Sequence, residues 1–97
     1  MVIITKTAIT SFGREHAEAA DALNNWYEIA LKADWRTFTD IKQTFNSVDY
    51  VGNERFVFNI KGNKYRLIVM LFFDIRTIFI RFIGTHAEYD RIDATTI

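Results

Sequence analysis

Arg55-Phe56-Val57-Phe58-Asn59-Ile60-Lys61-Gly62-Asn63-Lys64-Tyr65-Arg66-Leu67-Ile68-Val69-Met70-Leu71-Phe72-Phe73 is the stretch on which the fold turns. Up to Lys61 the residues alternate. Phe56, Phe58 and Ile60 fall on one face, and Val57, Asn59 and Lys61 on the other, which is the period of a strand. Gly62-Asn63 is a turn pair of the kind that closes a tight hairpin. Lys64–Phe73 is then almost continuously apolar, as a strand covered on both faces at a sheet centre is. Asp74–Arg76 reads as the next turn and Thr77–Ile83 as the last strand.

Toward the N-terminus, Val2-Ile3-Ile4 is a short β-branched run and reads as a first strand. Between His16 and Ala33 the period becomes helical. Ala19, Leu23, Trp26, Tyr27, Ala30 and Leu31 recur at steps of three and four, with Glu18, Asp21, Asn25, Glu28 and Lys32 largely opposite. Thr37 and Asp40 have the spacing of a capping box, and Ile41 and Phe45 follow on one face of a second, shorter helix. The expected fold is α+β, an N-terminal strand and two helices packed on an antiparallel sheet.

The chain has 97 residues, 49% apolar and 25% charged, which is ordinary for one globular domain spanning 1–97. It contains no cysteine, so disulfide scaffolds, thiol nucleophiles and cysteine-based zinc sites are excluded. The longest apolar run, Leu67–Phe73, is far shorter than the ~20 residues of a membrane helix. Met1–Lys6 lacks the basic and long apolar regions of a secretory signal, so a cytoplasmic location is expected.

Twelve basic and twelve acidic residues cancel, which argues against strong nonspecific nucleic-acid binding. The distribution is uneven. Residues 1–50 carry five basic and seven acidic side chains, whereas 51–86 carry six basic and two acidic. If Gly62-Asn63 is the whole loop, Lys61 faces Lys64, Ile60 faces Tyr65 and Asn59 faces Arg66. Paired residues share a face. One face then gathers Asn59, Lys61, Lys64 and Arg66, a cationic patch suited to phosphates. A second tight loop at Ile75-Arg76 pairs Met70 with Arg81 and adds Arg81 to that face, although one residue of slip reverses its direction. A merely solvated sheet face is the competing explanation.

After the last strand comes Gly84-Thr85-His86-Ala87-Glu88-Tyr89-Asp90. Thr85 and Glu88 form a second capping-box pattern, so a short helix begins at His86 and Glu88 has a structural task. Steps of three and four put His86, Tyr89 and Asp90 on one side of it. A histidine that exchanges protons near neutral pH, beside a phosphate patch, suits a general acid or base. His16 reads instead as a solvent-facing residue near a helix start. Both histidines stand in His-Ala-Glu, but zinc deaminases also need P-C-x-x-C, and the chain has neither proline nor cysteine. No Walker loop, G-x-G-x-x-G or G-x-S-x-G occurs.

Phe58-Asn59-Ile60-Lys61-Gly62-Asn63-Lys64-Tyr65-Arg66-Leu67, followed by Ile80-Arg81-Phe82-Ile83-Gly84-Thr85-His86-Ala87-Glu88-Tyr89-Asp90, resembles the HigB-type toxins of the RelE superfamily. Ala33-Asp34-Trp35 and Asp40-Ile41-Lys42 extend the resemblance over nearly the whole chain. It implies a bacterial type II toxin that cleaves mRNA, generally on the translating ribosome. It also implies neutralisation by a HigA-type antitoxin with a helix-turn-helix domain, contact with DNA only through that antitoxin, and no metal or organic cofactor. Tyr65-Arg66-Leu67 matches the strand whose arginine contacts the scissile phosphate, so Arg66 is the leading catalytic candidate. His86 falls where RelE proper has an arginine, and Tyr89 falls close to the superfamily's C-terminal tyrosine. Asn59 and Val57 occupy RelE's catalytic lysine positions, a departure that leaves Lys61 as the nearest lysine to share the chemistry. Asn59, Lys64, Arg81 and Thr85 complete the candidate set as RNA contacts. Two alternatives stand beside this reading. One is a noncatalytic relative that acts only by binding antitoxin or RNA, and the other is a structural domain with a solvated cationic face.

Overall fold

The computed structural model describes residues 1–97. Strand β1 (Val2–Ile4) leads into helices α1 (Lys6–Glu15), α2 (Ala17–Lys32) and α3 (Phe38–Thr44). Strands β2 (Asp49–Gly52), β3 (Arg55–Ile60), β4 (Tyr65–Phe72) and β5 (Thr77–Thr85) follow, then the short helix α4 (His86–Tyr89). The strands make one sheet in the order β1-β5-β4-β3-β2. The α+β class and the β3-β4-β5 meander agree with the sequence reading. The sheet is mixed, however, because β1 runs parallel to β5 with Val2 opposite Thr77. The whole helical layer intervenes between these strands, a crossover of the length that parallel pairing requires.

Two elements were not anticipated. Helix α1 is built from residues of modest helix propensity, including Thr7, Thr10, Ser11 and Gly13. It forms because Ile9 is buried and Ala8 and Phe12 pack against the core beside it. Gly13 permits the close approach of α2, since a Cβ there would lie 3.3 Å from the Ala20 Cβ. Strand β2 contains Asp49 and Gly52, both poor strand formers, and pairs with β3 as an edge with an irregularity between Tyr50 and Gly52. Helix α3 begins as read: Thr37 Oγ1 accepts from Asp40 N at 3.3 Å, and Asp40 Oδ2 accepts from Thr37 N at 3.2 Å.

The core lies between the helices and one sheet face, centred on Phe58. The rings of Trp26, Phe45 and Trp35 stand 5.3, 5.5 and 6.3 Å from it. Phe56, Ile60, Tyr65, Leu67 and Val69 join that cluster. Val57 and Ile68, which pair with each other, are equally buried but outside the cluster, on the other face. The chain after α4 returns to this second face. Asn53 Nδ2 donates to Thr95 O at 3.0 Å, and Arg55 Nη2 donates to Ile97 O at 2.8 Å.

Candidate active site

The β3–β4 hairpin has the anticipated register, with Ile60 opposite Tyr65 and Asn59 opposite Arg66. Arg66 and Asn59 therefore share the face away from the helices. Tyr65 points to the helices, where it is buried and its hydroxyl donates to the Glu18 carboxylate. That bond, followed by the charge of Lys64, holds Glu18 below the usual carboxylate range. The same bond raises Tyr65 above the ordinary tyrosine value, so it stays a neutral phenol.

The loop itself differs from the expected two-residue turn. Pairing stops at Ile60 and Tyr65, and Lys61 and Gly62 both take positive φ, 53° and 65°. Lys61 thereby leaves the strand alternation. Its Nζ donates to the Glu18 carbonyl at 2.9 Å, on the α2 side rather than beside Arg66. This corrects the placement of Lys61 in the Arg66 patch. Lys64 remains exposed in the loop.

Strand β5 delivers the other half of the site. Gly84 lies opposite Arg66 and Thr85 opposite Tyr65, so the chain enters α4 directly beside the hairpin. Thr85 caps α4: its Oγ1 accepts from Glu88 N at 3.2 Å, and its N–H donates to Glu88 Oε1 at 2.8 Å. These bonds to Thr85 hold Glu88 below the usual carboxylate range. His86 N–H donates to Lys64 O at 3.1 Å, tying the helix start to the loop. With α4 anchored, the Arg66 guanidinium lies 5.6 Å from the centre of the Tyr89 ring, a cation–π contact. It also donates through Nη1 to Asn63 O at 3.3 Å. The exposed His86 ring places Nδ1 3.2 Å from Asp90 Oδ2. An exposed pair of this kind orients the ring more than it stabilises the fold.

Arg66, Tyr89, His86, Thr85 and Asn59 thus converge on one end of the sheet, joined there by the loop carrying Lys64. Arg81 reaches the open face by another route than the expected one. Met70 pairs with Phe79, Val69 with Ile80 and Ile68 with Phe82, leaving Arg81 with no residue opposite. The predicted Met70–Arg81 pairing fails because residues 73–76, more than the expected two, connect Phe72 to Thr77, and the irregularity beyond the Val69–Ile80 pair then leaves Arg81 unopposed. Arg81 Nε donates to Ile97 O at 3.3 Å. His16 is also corrected. It caps the junction of α1 and α2, half-buried, with its ring stacked 4.2 Å from that of Phe12 and 5.7 Å from Tyr65. Sequence reasoning missed Glu18 and Arg55, whose partners lie more than forty residues away in the chain.

The largest concavity, ≈ 470 Å³, is at the opposite end of the sheet, lined by Phe38, Tyr50, Phe56 and Phe73 among others. It holds none of the convergent polar residues. An open cationic corner is the form expected for a single-stranded, charged polymer, which needs a track for its backbone rather than an enclosed pocket. No group of three or more His, Asp or Glu side chains comes together, and no helix is long and apolar enough to cross a membrane.

Residues 19–92 match the family model of the HigB toxin, described as the RelE-like toxic component of a toxin–antitoxin system. The chain belongs to the HigB toxin family. Among curated HigB proteins, the mRNA interferase HigB of Escherichia coli O6:H1 is 29% identical over 94 residues, covering 95% of this chain and 91% of that protein. The mRNA interferase toxin HigB of Escherichia coli K12 is 29% identical over 93 residues, covering 93% and 88%. The mRNA interferase HigB of Shigella flexneri shows the same values. In this HigB chain the matched region takes in most of α2, all of α3, the four strands β2–β5 and α4, and therefore every convergent residue of the corner.

Proposed function

We propose that this HigB chain is the toxin of a type II toxin–antitoxin pair and an endoribonuclease that cleaves mRNA, with Arg66 and His86 at the centre of the reaction. The observation carrying the reading is the β4–β5 pairing that brings Arg66 and the start of α4 to one corner, in a family whose relatives are named mRNA interferases. Cleavage begins as the 2′-hydroxyl loses its proton and its oxygen attacks the adjacent phosphorus. A phosphorane forms, the bond from phosphorus to the 5′-oxygen breaks, and that oxygen takes up a proton. Arg66 stabilises the phosphorane charge, a role in which losing one donor costs about 10²–10³ in rate. His86, oriented by Asp90, exchanges one of the two protons. Tyr89 steadies the Arg66 guanidinium, and Asn59, Lys64 and Thr85 line the approach.

With one histidine in the corner and Lys61 turned away, much of the rate comes from positioning. The ribosome supplies that positioning and much of the docking surface, which accommodates a chain with no net charge. The reaction takes place in the cytoplasm, uses no metal or organic cofactor, and is held off by a HigA-type helix-turn-helix antitoxin, through which alone the toxin meets DNA. The test is induction in a bacterial host with mRNA 5′ ends mapped within minutes. New ends inside coding regions that disappear with Arg66→Ala and His86→Ala are expected. Unchanged cleavage in both variants refutes the site. Growth arrest without new ends points to a toxin that acts by binding alone.

A further inference from the structure

Both central groups of the corner hang from one exposed loop, residues 61–64. Arg66 Nη1 donates to Asn63 O at 3.3 Å, and His86 N–H donates to Lys64 O at 3.1 Å. One backbone bond closes the loop, from Lys64 N to Lys61 O at 3.3 Å. Lys61 holds a left-handed φ of 53° there, a conformation that its Cβ disfavours. The fixed point lies on α2. The Glu18 carbonyl accepts from Lys61 Nζ at 2.9 Å, and the Glu18 carboxylate accepts from the Tyr65 hydroxyl. One residue of α2 thus grips the turn at its first residue and just past its last. Glu18 stands in the first turn of α2, and its neighbour Ala19 and, one turn on, Leu23 are fully buried, so the anchoring backbone is seated in the core. Tyr65 is buried too, its ring centre 5.5 Å from that of Phe12 and 5.7 Å from that of His16. Held below the usual carboxylate range by the Tyr65 bond, Glu18 remains an acceptor at neutral pH.

We propose that Glu18 is a positioning residue for RNA cleavage, acting through Tyr65 and Lys61 to fix the loop on which Arg66 and His86 depend. The proposal rests on the cleavage reaction and the corner assigned above, and adds a residue that never meets the substrate. Tyr65 and Arg66 are consecutive on β4 and point to opposite faces. A hydroxyl held on the helix side therefore fixes the backbone that carries the guanidinium on the other. Tyr65 is also the cross-strand neighbour of Thr85, the cap of α4, so the anchored residue adjoins both halves of the corner. Lys61, turned out of the Arg66 patch, ties the first residue of the turn to α2. Without the Glu18 bonds the exposed turn shifts, and Asn63 O and Lys64 O carry Arg66 and His86 with them. Misplacement of reacting groups by about 1 Å costs up to ~10²-fold in rate.

The experiment is single-turnover cleavage of a defined mRNA on programmed ribosomes, with the full chain in excess and its concentration varied. The maximal rate constant reads the geometry of the reacting groups, and the half-saturating concentration reads docking. At saturation the rate constant does not depend on how much of the chain is folded. A purely structural role therefore leaves it unchanged and raises only the apparent half-saturating concentration. Tyr65→Phe and Glu18→Ala each lower the maximal rate constant about tenfold, less than a full 1 Å misplacement costs, and leave half-saturation within about twofold of the parent. Glu18→Gln keeps an oxygen acceptor and recovers most of the rate lost in Glu18→Ala. Glu18→Ala/Tyr65→Phe loses no more than either single variant, as partners in one bond do. A parental maximal rate in the two single variants overturns the proposal, as does a change confined to half-saturation, or losses that multiply in the double variant. Arg66→Ala and His86→Ala, assayed in parallel, separate the two claims. If both are inactive while the Glu18 and Tyr65 variants keep the parental maximal rate, the positioning role alone fails. If both cleave as the parent does, the catalytic corner fails and takes the positioning role with it.

Discussion

Thr85→Ala separates two roles for one hydroxyl, cap and RNA contact. The substitution removes the acceptor for Glu88 N, now 3.2 Å from Oγ1, and keeps the 2.8 Å bond from Thr85 N to Glu88 Oε1. Loss of an N-cap costs about 0.5–2 kcal/mol. The lost bond is at the long end of the N–H···O range and exposed enough for water to replace it, which puts the cost near ~0.5–1 kcal/mol. Helix α4 is a single turn and does not persist unaided. Besides the retained bond from Thr85 N and the Arg66–Tyr89 contact, it is tied by the 3.1 Å bond from His86 N to Lys64 O and the 3.0 Å bond from Asp90 N to His86 O. A bias of that size raises the unwound population about two- to fivefold, and His86 and Tyr89 are misplaced for that fraction. Cleavage of a reporter mRNA in a reconstituted translation reaction therefore slows only modestly, with a small drop in the urea midpoint. His86→Ala, by contrast, loses the ~10²–10⁴ of a proton-transfer group. Thr85→Ser keeps both values. If Thr85→Ala loses as much cleavage as His86→Ala at an unchanged urea midpoint, the hydroxyl touches RNA and the capping argument is wrong.

Gly84→Ala places a Cβ 2.5 Å from Phe82 Cζ and 3.2 Å from Glu88 Oε1. The Phe82 ring must swing off β5, destabilising the chain by about 1–3 kcal/mol, and an unchanged Tm refutes the contact. Glu88, held below its ordinary value by its bonds to Thr85, contributes stability that is present above the unfolded-state pKa and lost as pH falls through the lower folded-state value. Glu88→Gln accordingly loses stability at neutral pH and shows a shallower acid limb in urea melts, and an acid limb identical to the parent's sinks that assignment.

The hairpin was legible because strict alternation and a Gly-Asn pair leave one register that buries Phe56, Phe58 and Ile60 together. Both capping boxes were legible because they are local: each side chain reaches only three residues. What escaped was set by distant partners. Helix α1 has little intrinsic preference for its conformation and is held by packing on Ile9 and Phe12. The direction of β1 depends on what it meets after three helices. Lys61 was misplaced because a positive φ at lysine, with Nζ drawn to the Glu18 carbonyl, has no signature in alternation. In the candidate site, Arg66, His86 and Tyr89 could be gathered from spacing along β4, β5 and α4. Tyr65 held by Glu18 and Arg55 turned to Ile97 could not, since both contacts close loops of more than forty residues.

The unopposed Arg81 sets the phase of everything after it. Ile80 and Ile83, three apart, both pack toward the core, an odd spacing that an uninterrupted strand sends to opposite sides. In side-chain space the extra residue behaves as a frameshift within β5. Straightening the bulge at the same residue count, with Arg81 drawn in opposite Ile68, would leave the apolar content of the strand intact and exchange its two sides from Phe82 onward. Gly84 would turn toward the helices, and α4 would start half a pleat out of step with Arg66. Composition in this stretch is therefore forgiving, and phase is not: deleting Arg81 restores an ordinary strand with Gly84 still opposite Arg66, whereas one residue inserted after Phe82 throws Gly84 and α4 out of step without touching any residue of the corner.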